Sequence, residues 1–128
     1  MELTDVLIST RGPFCLSDKF KAEYFETTGR HVNITNRTDK YLINIFKNMG
    51  SDSSTSNLII VKVPALFKNF VIITEFPQYE TIHINKDKAF AKLLHDFMNG
   101  EFDLSILKTR YNEMVHYSTN RMIYYNTS

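Results

Sequence analysis

Apolar and polar positions along the chain repeat with two periods, and each period predicts a different element. Between residues 39 and 49 the apolar residues recur at i, i+3, i+4 and i+7: Leu42, Ile45, Phe46 and Met49. This spacing is typical of a helix that buries one stripe. Thr38 or Asp39 can cap its start, and Gly50 can take the left-handed conformation that ends it. We therefore predict a complete amphipathic helix here.

The same reasoning predicts three more helices and five strands. The predicted helices lie near residues 17–28, 39–49, 86–98 and 104–118. The predicted strands lie near residues 3–9, 31–35, 58–63, 70–76 and 79–84. Candidate capping residues also precede the other helices: Ser17, Asn85 and Asp103. The short connections between the last three strands favour an antiparallel meander. The pattern predicts a single α+β domain over residues 1–128, with a small antiparallel or mixed sheet packed by helices.

The two C-terminal helices are each expected to bury an apolar stripe. In the helix near 86–98 the expected stripe is Phe90, Leu93, Leu94 and Phe97. In the helix near 104–118 it is Leu104, Leu107, Tyr111, Met114 and Val115. Such stripes normally pack on a sheet or a neighbouring helix.

Charge is nearly balanced, with 15 Lys+Arg against 14 Asp+Glu and a net charge of +1. A broad nucleic-acid footprint is therefore not expected. A local basic patch on the C-terminal helices is the alternative: Lys86, Lys88, Lys92, Lys108 and Arg110. Because Asp87 and Asp96 interrupt this patch, we favour solvated helix faces over a phosphate-binding track.

Candidate catalytic chemistry is sparse. The four glycines fit turns and helix ends, and the four histidines are scattered without metal-ligand spacing, so we predict no catalytic residue, metal or cofactor. Cys15 is the one thiol. It lies before a helix start that could lower its pKa, but a free cysteine more often behaves as a small apolar residue. A cysteine-dependent enzyme is thus a further alternative.

Aromatic residues near the C-terminus are candidates for binding a protein. Tyr117, Tyr124 and Tyr125 do not fit the predicted core stripes, and exposed tyrosines are effective anchors at protein interfaces. The chain also lacks the basic start and apolar run of a signal peptide and has no segment long enough to span a membrane. We therefore expect an intracellular, non-secreted protein without membrane partners.

Three segments resemble a known group of proteins. RGPFCLSDKF, RTDKYLINIFKNMGSDSSTSNLIIVKVP and EFPQYETIH contain a Gly-x-Phe-x-Leu-Ser start, an Arg-x-Asp before a helix ending in Met-Gly, and an apolar strand ending in proline. This pattern, over about residues 11–83, resembles small uncharacterised proteins of large DNA viruses and phages, although Pro13 stands where glycine is more usual. The resemblance implies viral provenance and no activity, with residues 86–128 as a helical C-terminal extension.

These observations favour a non-enzymatic viral interaction module. It would be a minor virion component or a binder of a host or viral protein, located in the host cytoplasm or the virion. A protein partner is expected. That partner could also be a second copy of this chain, which would make the protein a homo-oligomer. A nucleic-acid accessory protein is the leading alternative.

Overall fold

The computed structural model describes residues 2–119 and 123–125, with side chains described for residues 2–116. The fold is α+β. The strands are β1 Leu3–Arg11, β2 Asn57–Pro64, β3 Val71–Phe76, β4 Tyr79–Ile84 and β5 Ile123–Tyr125. The helices are α1 Asp18–Thr28, α2 Lys40–Met49, α3 Lys86–Met98 and α4 Leu104–Thr119. Two 3₁₀ turns, Gly50–Ser53 and Ala65–Phe70, complete the described elements.

The strands form two antiparallel sheets rather than one meander. β2 lies between β1 and β5, whereas β3 and β4 form a separate hairpin. The predicted pairing of 58–63 with 70–76 is therefore wrong. Pro64 cannot donate to a ladder, and the 3₁₀ turn that follows it carries the chain away from β2 before β3 begins. The hairpin itself was predicted correctly.

The predicted strand at residues 31–35 is also wrong, because these residues form a turn-containing loop. The Asn33 side-chain oxygen accepts a hydrogen bond from the Thr35 backbone N–H at 3.0 Å, and the Asn36 N–H donates to the Asn33 carbonyl at 3.2 Å. Asparagine side chains compete with ladders in this way. Local hydrogen bonding thus overrides the alternating apolar pattern.

The helix starts were predicted accurately. Ser17 Oγ accepts from Phe20 N at 3.1 Å, and Asp39 Oδ1 accepts from Tyr41 N at 3.0 Å. Asn85 and Asp103 accept in the same manner at the starts of α3 and α4. These side chains satisfy backbone N–H groups that have no partner inside the helix.

Apolar residues cover both faces of the β1–β2 pair and build two cores. On one face the buried strand residues pack with α3, α4 and the β3–β4 hairpin: Val6, Ile8, Ile59, Val61 and Val63. On the other face they pack with α1 and α2: Leu7, Leu58 and Ile60. Because successive strand residues point to opposite faces, the two strands serve both cores. The buried residues of α2 confirm its predicted stripe: Leu42, Ile45 and Phe46 are buried, and Met49 packs beside them.

The buried faces of α3 and α4 differ from the prediction. α3 packs through Ala89 and Leu93, while Phe90 and Leu94 are 37% and 38% exposed. The small side chain of Ala89, fully buried, allows the helix to approach the sheet on that face.

On α4, Met114 is buried and Leu107 and Val115 pack against the core, as predicted. Leu104 and Tyr111 are exposed instead, against the prediction. Because the apolar residues of α4 lie on more than one face of the helix, only some of them can be buried against the core.

Candidate functional site

An exposed apolar row runs over α3 and α4. On α3 it consists of Phe90, Leu94 and Met98, which share one face because they are spaced at i, i+4 and i+8. On α4 it consists of Leu104 and Tyr111, which are seven residues apart and also share a face. Met98 is the most exposed of the five, at 78%. We call these five residues the apolar row.

The two halves of the apolar row are in contact. The rings of Phe90 and Tyr111 pack edge to face, with centroids 5.2 Å apart and an interplanar angle of 64°. This geometry is favourable for aromatic pairs. The contact joins the exposed faces of α3 and α4 into one surface.

Two lysines flank this surface. Lys86 precedes Phe90 by four residues on α3, and Lys108 follows Leu104 by four residues on α4. Residues at this spacing lie on the same helix face, and both lysines are exposed. The exposed Asp87, three residues before Phe90, lies on the same face by this spacing. The row is therefore apolar in the middle, and its margin carries two lysines and one aspartate.

The predicted basic patch is only partly available for a ligand. Lys88 is exposed like Lys86 and Lys108. Lys92 Nζ, however, lies 2.8 Å from Asp96 Oδ1, and the Arg110 guanidinium stacks over the Phe102 ring at 4.6 Å. Two of the five predicted residues thus interact with α3 or with the connection between α3 and α4.

The predicted tyrosine anchors fall where side chains are not described. The backbone of Tyr117 belongs to α4, and the backbones of Tyr124 and Tyr125 belong to β5, opposite Val61 and Ile60. Their side chains lie outside the described residues, so their predicted role in partner binding stays a prediction.

Cys15 lies beside a loop of hydroxyl-bearing residues between α2 and β2. Its Sγ is 3.3 Å from Ser54 Oγ, 3.4 Å from Ser56 Oγ and 3.7 Å from Thr55 Oγ1. Hydrogen bonds with Ser54 and Ser56 lower the pKa of Cys15 to about 7, although partial burial acts in the opposite direction. The lowered pKa of Cys15 therefore comes mainly from hydrogen bonds with this loop.

A cavity of about 230 Å³ lies against the same loop. Its wall combines small polar residues of the loop with the apolar side chains of Phe46 and Leu58. Ser54, Thr55 and Ser56 line it as well as contacting Cys15. Ser53 also lines it, and the buried Ser53 Oγ has no hydrogen-bond partner among the described residues.

Two buried charged side chains among the described residues lie where the loop before α2 meets β4. The Arg37 guanidinium binds the Glu80 carboxylate through two hydrogen bonds of 2.7 and 2.8 Å. Glu80 Oε1 also accepts from the Ser9 backbone N–H at 2.9 Å, and the Arg37 guanidinium stacks on the Phe14 ring at 3.5 Å. Because these groups satisfy one another, we interpret the cluster as structural.

Within the part of the chain that the structure describes, no group of three or more His, Cys, Asp or Glu residues is arranged to hold a metal ion. No helix there is both long enough and apolar enough to cross a membrane. Comparisons with family models, curated proteins and solved structures find no match to this chain. Functional arguments therefore depend on its own geometry.

Sequence reasoning missed both features that the structure brings forward. The apolar row had a signal: α3 contains apolar residues at Phe90, Leu94 and Met98 in addition to the buried Ala89 and Leu93, too many for one stripe. The hydroxyl cluster had a weaker signal, the run SDSSTS. Nothing in the sequence indicates that this run contacts Cys15, about 40 residues away.

Proposed function

We propose that the chain is a non-enzymatic interaction module that binds a protein partner through the apolar row. The observation that carries the proposal is the exposure of five large apolar side chains on α3 and α4, with Phe90 and Tyr111 in contact between the two helices. Contiguous exposed apolar surface with a polar margin is characteristic of protein-binding sites. In line with the viral resemblance, the partner would be a viral or host protein.

The partner best suited to this surface is an amphipathic helix with acidic residues beside its apolar stripe. Amphipathic helices bind apolar surfaces through apolar residues at i, i+3, i+4 and i+7. Lys86 and Lys108 at the margin favour negative charge on the partner. Apolar burial would supply affinity, and the lysines would select the partner's charge.

The surroundings of Cys15 support the non-enzymatic part of the proposal. A nucleophilic cysteine is normally activated by a positioned base, most often histidine. The hydrogen-bond partners of Cys15 are three hydroxyls. Hydroxyls can stabilise a thiolate but do not accept its proton at neutral pH.

The test uses designed peptides as probes. A model helix of about 20 residues carries leucine at i, i+3, i+4 and i+7 and glutamate at the flanking positions. Its counterpart carries lysine at those flanks. We expect the acidic peptide to bind at least about tenfold more tightly in a fluorescence-anisotropy titration, because charge complementarity adds to apolar burial.

The matched variants locate the surface. Leu94→Gln/Met98→Gln should weaken binding of the acidic peptide by about tenfold or more, as expected at an interface centre. Leu66→Gln changes a leucine of similar exposure, 43%, in the 3₁₀ turn Ala65–Phe70 outside the apolar row, and should leave binding unchanged. Equal affinity for both peptides, or equal effects of all variants, would contradict the proposal.

Two further outcomes would assign the surface differently. Self-association in sedimentation experiments that is lost in Leu94→Gln/Met98→Gln would make a second copy the occupant. Salt-sensitive binding of an oligonucleotide, lost in Lys86→Glu/Lys88→Glu and retained in the row variant, would favour the nucleic-acid alternative, because binding to phosphates weakens steeply with salt.

A further inference from the structure

The edge of β3 that faces away from β4 carries an inference that is independent of the apolar row. We propose that this edge binds an extended peptide segment of a partner protein as an added strand, with a lysine or arginine side chain of that segment placed beside Glu75. Three observations carry the proposal: the unpaired backbone groups of β3, a groove along this edge, and the charge of Glu75.

The backbone of β3 is paired on one side only. At the start of the hairpin the Phe70 carbonyl accepts from the Asn85 N–H at 2.8 Å. Because backbone groups alternate in direction along a strand, those of every second residue up to Phe76 also face β4, whereas those of Ile73 and Glu75 face away. The N–H and C=O groups of Ile73 and Glu75 have no hydrogen-bond partner among the described residues. An added strand would pair them.

β3 lacks the features that usually keep a strand edge from pairing. It pairs with β4 along its whole length without a bulge, and the segment Val71–Phe76 contains no proline or lysine. Proteins normally protect an exposed edge with such features, because its unpaired backbone groups are a template for another chain. This edge is therefore suited to strand addition.

A groove of about 320 Å³ lies beside β3. β3 and the loop before α2 provide its wall: Val71, Ile73, Glu75, Ile34, Thr35 and Arg37. On β4, the residues Glu80, Ile82 and Ile84 stand opposite the three β3 residues and share their face of the hairpin. None of these β4 residues lines the groove. The groove therefore lies on the side of β3 where an added strand would run.

The charges at the groove favour a cation. Arg37 is already paired with the buried Glu80 carboxylate through two hydrogen bonds of 2.7 and 2.8 Å. Glu75 Oε1 lies 3.6 Å from the same guanidinium, which is beyond hydrogen-bond distance, and the Glu75 side chain is 74% exposed. Two carboxylates and one guanidinium leave one negative charge unbalanced. A lysine or arginine could lay its aliphatic stem on Ile73 and place its charge at Glu75.

Antiparallel addition determines which peptide residues make each contact. Directly opposite residues of an antiparallel pair share a face of the sheet. Peptide residues that pair with Ile73 and Glu75 would therefore also direct their side chains towards the groove. The lysine in the groove and the residues two positions away from it would make the hydrogen bonds, whereas the backbone groups of its direct neighbours would face away from β3.

The first experiment tests the main-chain pairing with the full-length protein. The probe is a capped fluorescent peptide of about nine residues, with valine and threonine alternating around a central lysine. N-methylation of the lysine and of the residue two positions before it should weaken binding at least about tenfold in an anisotropy titration, because two backbone donors are lost. N-methylation of the two direct neighbours of the lysine should change the affinity less than about twofold. Equal effects of the two modifications, or no binding at up to about 1 mM protein, would overturn the proposal.

The second experiment tests the charge. Norleucine has the stem of lysine without the ammonium group, and we expect the wild type to bind the lysine peptide about threefold more tightly than the norleucine peptide. Glu75→Gln should remove this difference. Glu101→Gln, which changes another exposed glutamate, should retain it. Equal affinity of the wild type for the two peptides, or a difference that persists in Glu75→Gln, would contradict the inference.

One variant separates this edge from the apolar row. Leu94→Gln/Met98→Gln should bind the lysine peptide as tightly as the wild type does, since the apolar row lies on α3 and α4. Loss of binding in that variant would place the peptide on the apolar row instead. Self-association of the protein that the lysine peptide reverses would assign the β3 edge to a second copy of the chain. Either result would overturn the proposal.

Discussion

Arg37 and Glu80 are the two charged side chains that lie deepest among the described residues. Removing ions from water is costly unless each is paired and its remaining hydrogen-bonding groups are satisfied. Here Glu80 accepts from Arg37 and from the Ser9 N–H, and Arg37 Nη1 is also 3.3 Å from the Leu7 carbonyl. The cluster thereby joins the hairpin strand β4 to β1, although the two strands belong to different sheets.

Breaking this pair should strongly destabilise the fold. Arg37→Met or Glu80→Gln is expected to lower the free energy of unfolding by about 3–5 kcal/mol, because the remaining partner is left buried without compensation. Glu75→Gln is the control: Glu75 also approaches Arg37, at 3.6 Å, but is 74% exposed, so its effect should stay within about 0.5 kcal/mol. Urea denaturation measures all three, and similar small effects would show that the pair is not essential.

At the scale of the elements, the sequence predicted starts and ends better than faces and pairings. α2 was predicted correctly in its start and in its stripe, because its apolar residues lie between a capping aspartate and a glycine. Ile43 is also buried, and Gly50 ends the helix at φ 59° and ψ −127° rather than in the predicted left-handed conformation. α3 was predicted in extent but not in orientation, since its apolar residues surround more than half of the helix. Which of them become buried depends on the close approach at Ala89, a tertiary effect that periodicity does not contain.

The same distinction explains what could be predicted of the candidate sites. The basic residues and Cys15 were visible as residue types, whereas their neighbours were not. Contact between Cys15 and Ser54 depends on how the loop before α1 packs against the loop between α2 and β2, and the exposure of Leu94 depends on the rotation of α3. Both are consequences of long-range packing.

Two adjacent leucines on α3 test this orientation directly. Leu93 is 3% exposed and belongs to the core, whereas Leu94 is 38% exposed. Leu93→Ala should lower the free energy of unfolding by about 2–5 kcal/mol through the cavity that it leaves. Leu94→Ala should cost less than about 1 kcal/mol. The two variants remove the same atoms, so equal losses in chemical denaturation would mean that the helix is rotated from the orientation described.

The whole molecule is organised around the β1–β2 pair, whose two faces belong to two different cores. Asp5 on β1 adds a polar connection: its carboxylate lies 3.0 Å from Lys47 Nζ on α2 and 2.6 Å from Lys62 Nζ on β2. Partial burial alone would raise the pKa of Asp5. The hydrogen bonds and charges of Lys62 and Lys47 outweigh it, so that the pKa is lowered.

This lowered pKa predicts the pH dependence of stability. A carboxyl group with a depressed pKa in the folded state stabilises the fold above its unfolded pKa of about 3.9. That contribution is lost as the pH falls through the folded value. The free energy of unfolding of the wild type should therefore exceed that of Asp5→Asn at pH 7 by up to about 1 kcal/mol, and the difference should shrink progressively below about pH 4.

Urea denaturation of both proteins between about pH 3 and 7 measures this difference. Asp87→Asn, which changes an exposed aspartate of α3, serves as the control for general charge effects. A difference between wild type and Asp5→Asn that is constant over this range, or that grows towards acid, would contradict the role given to Lys47 and Lys62. A difference that disappears in acid would show that the ionised Asp5 carboxylate, rather than its shape or packing, helps to hold α2 against the central strands.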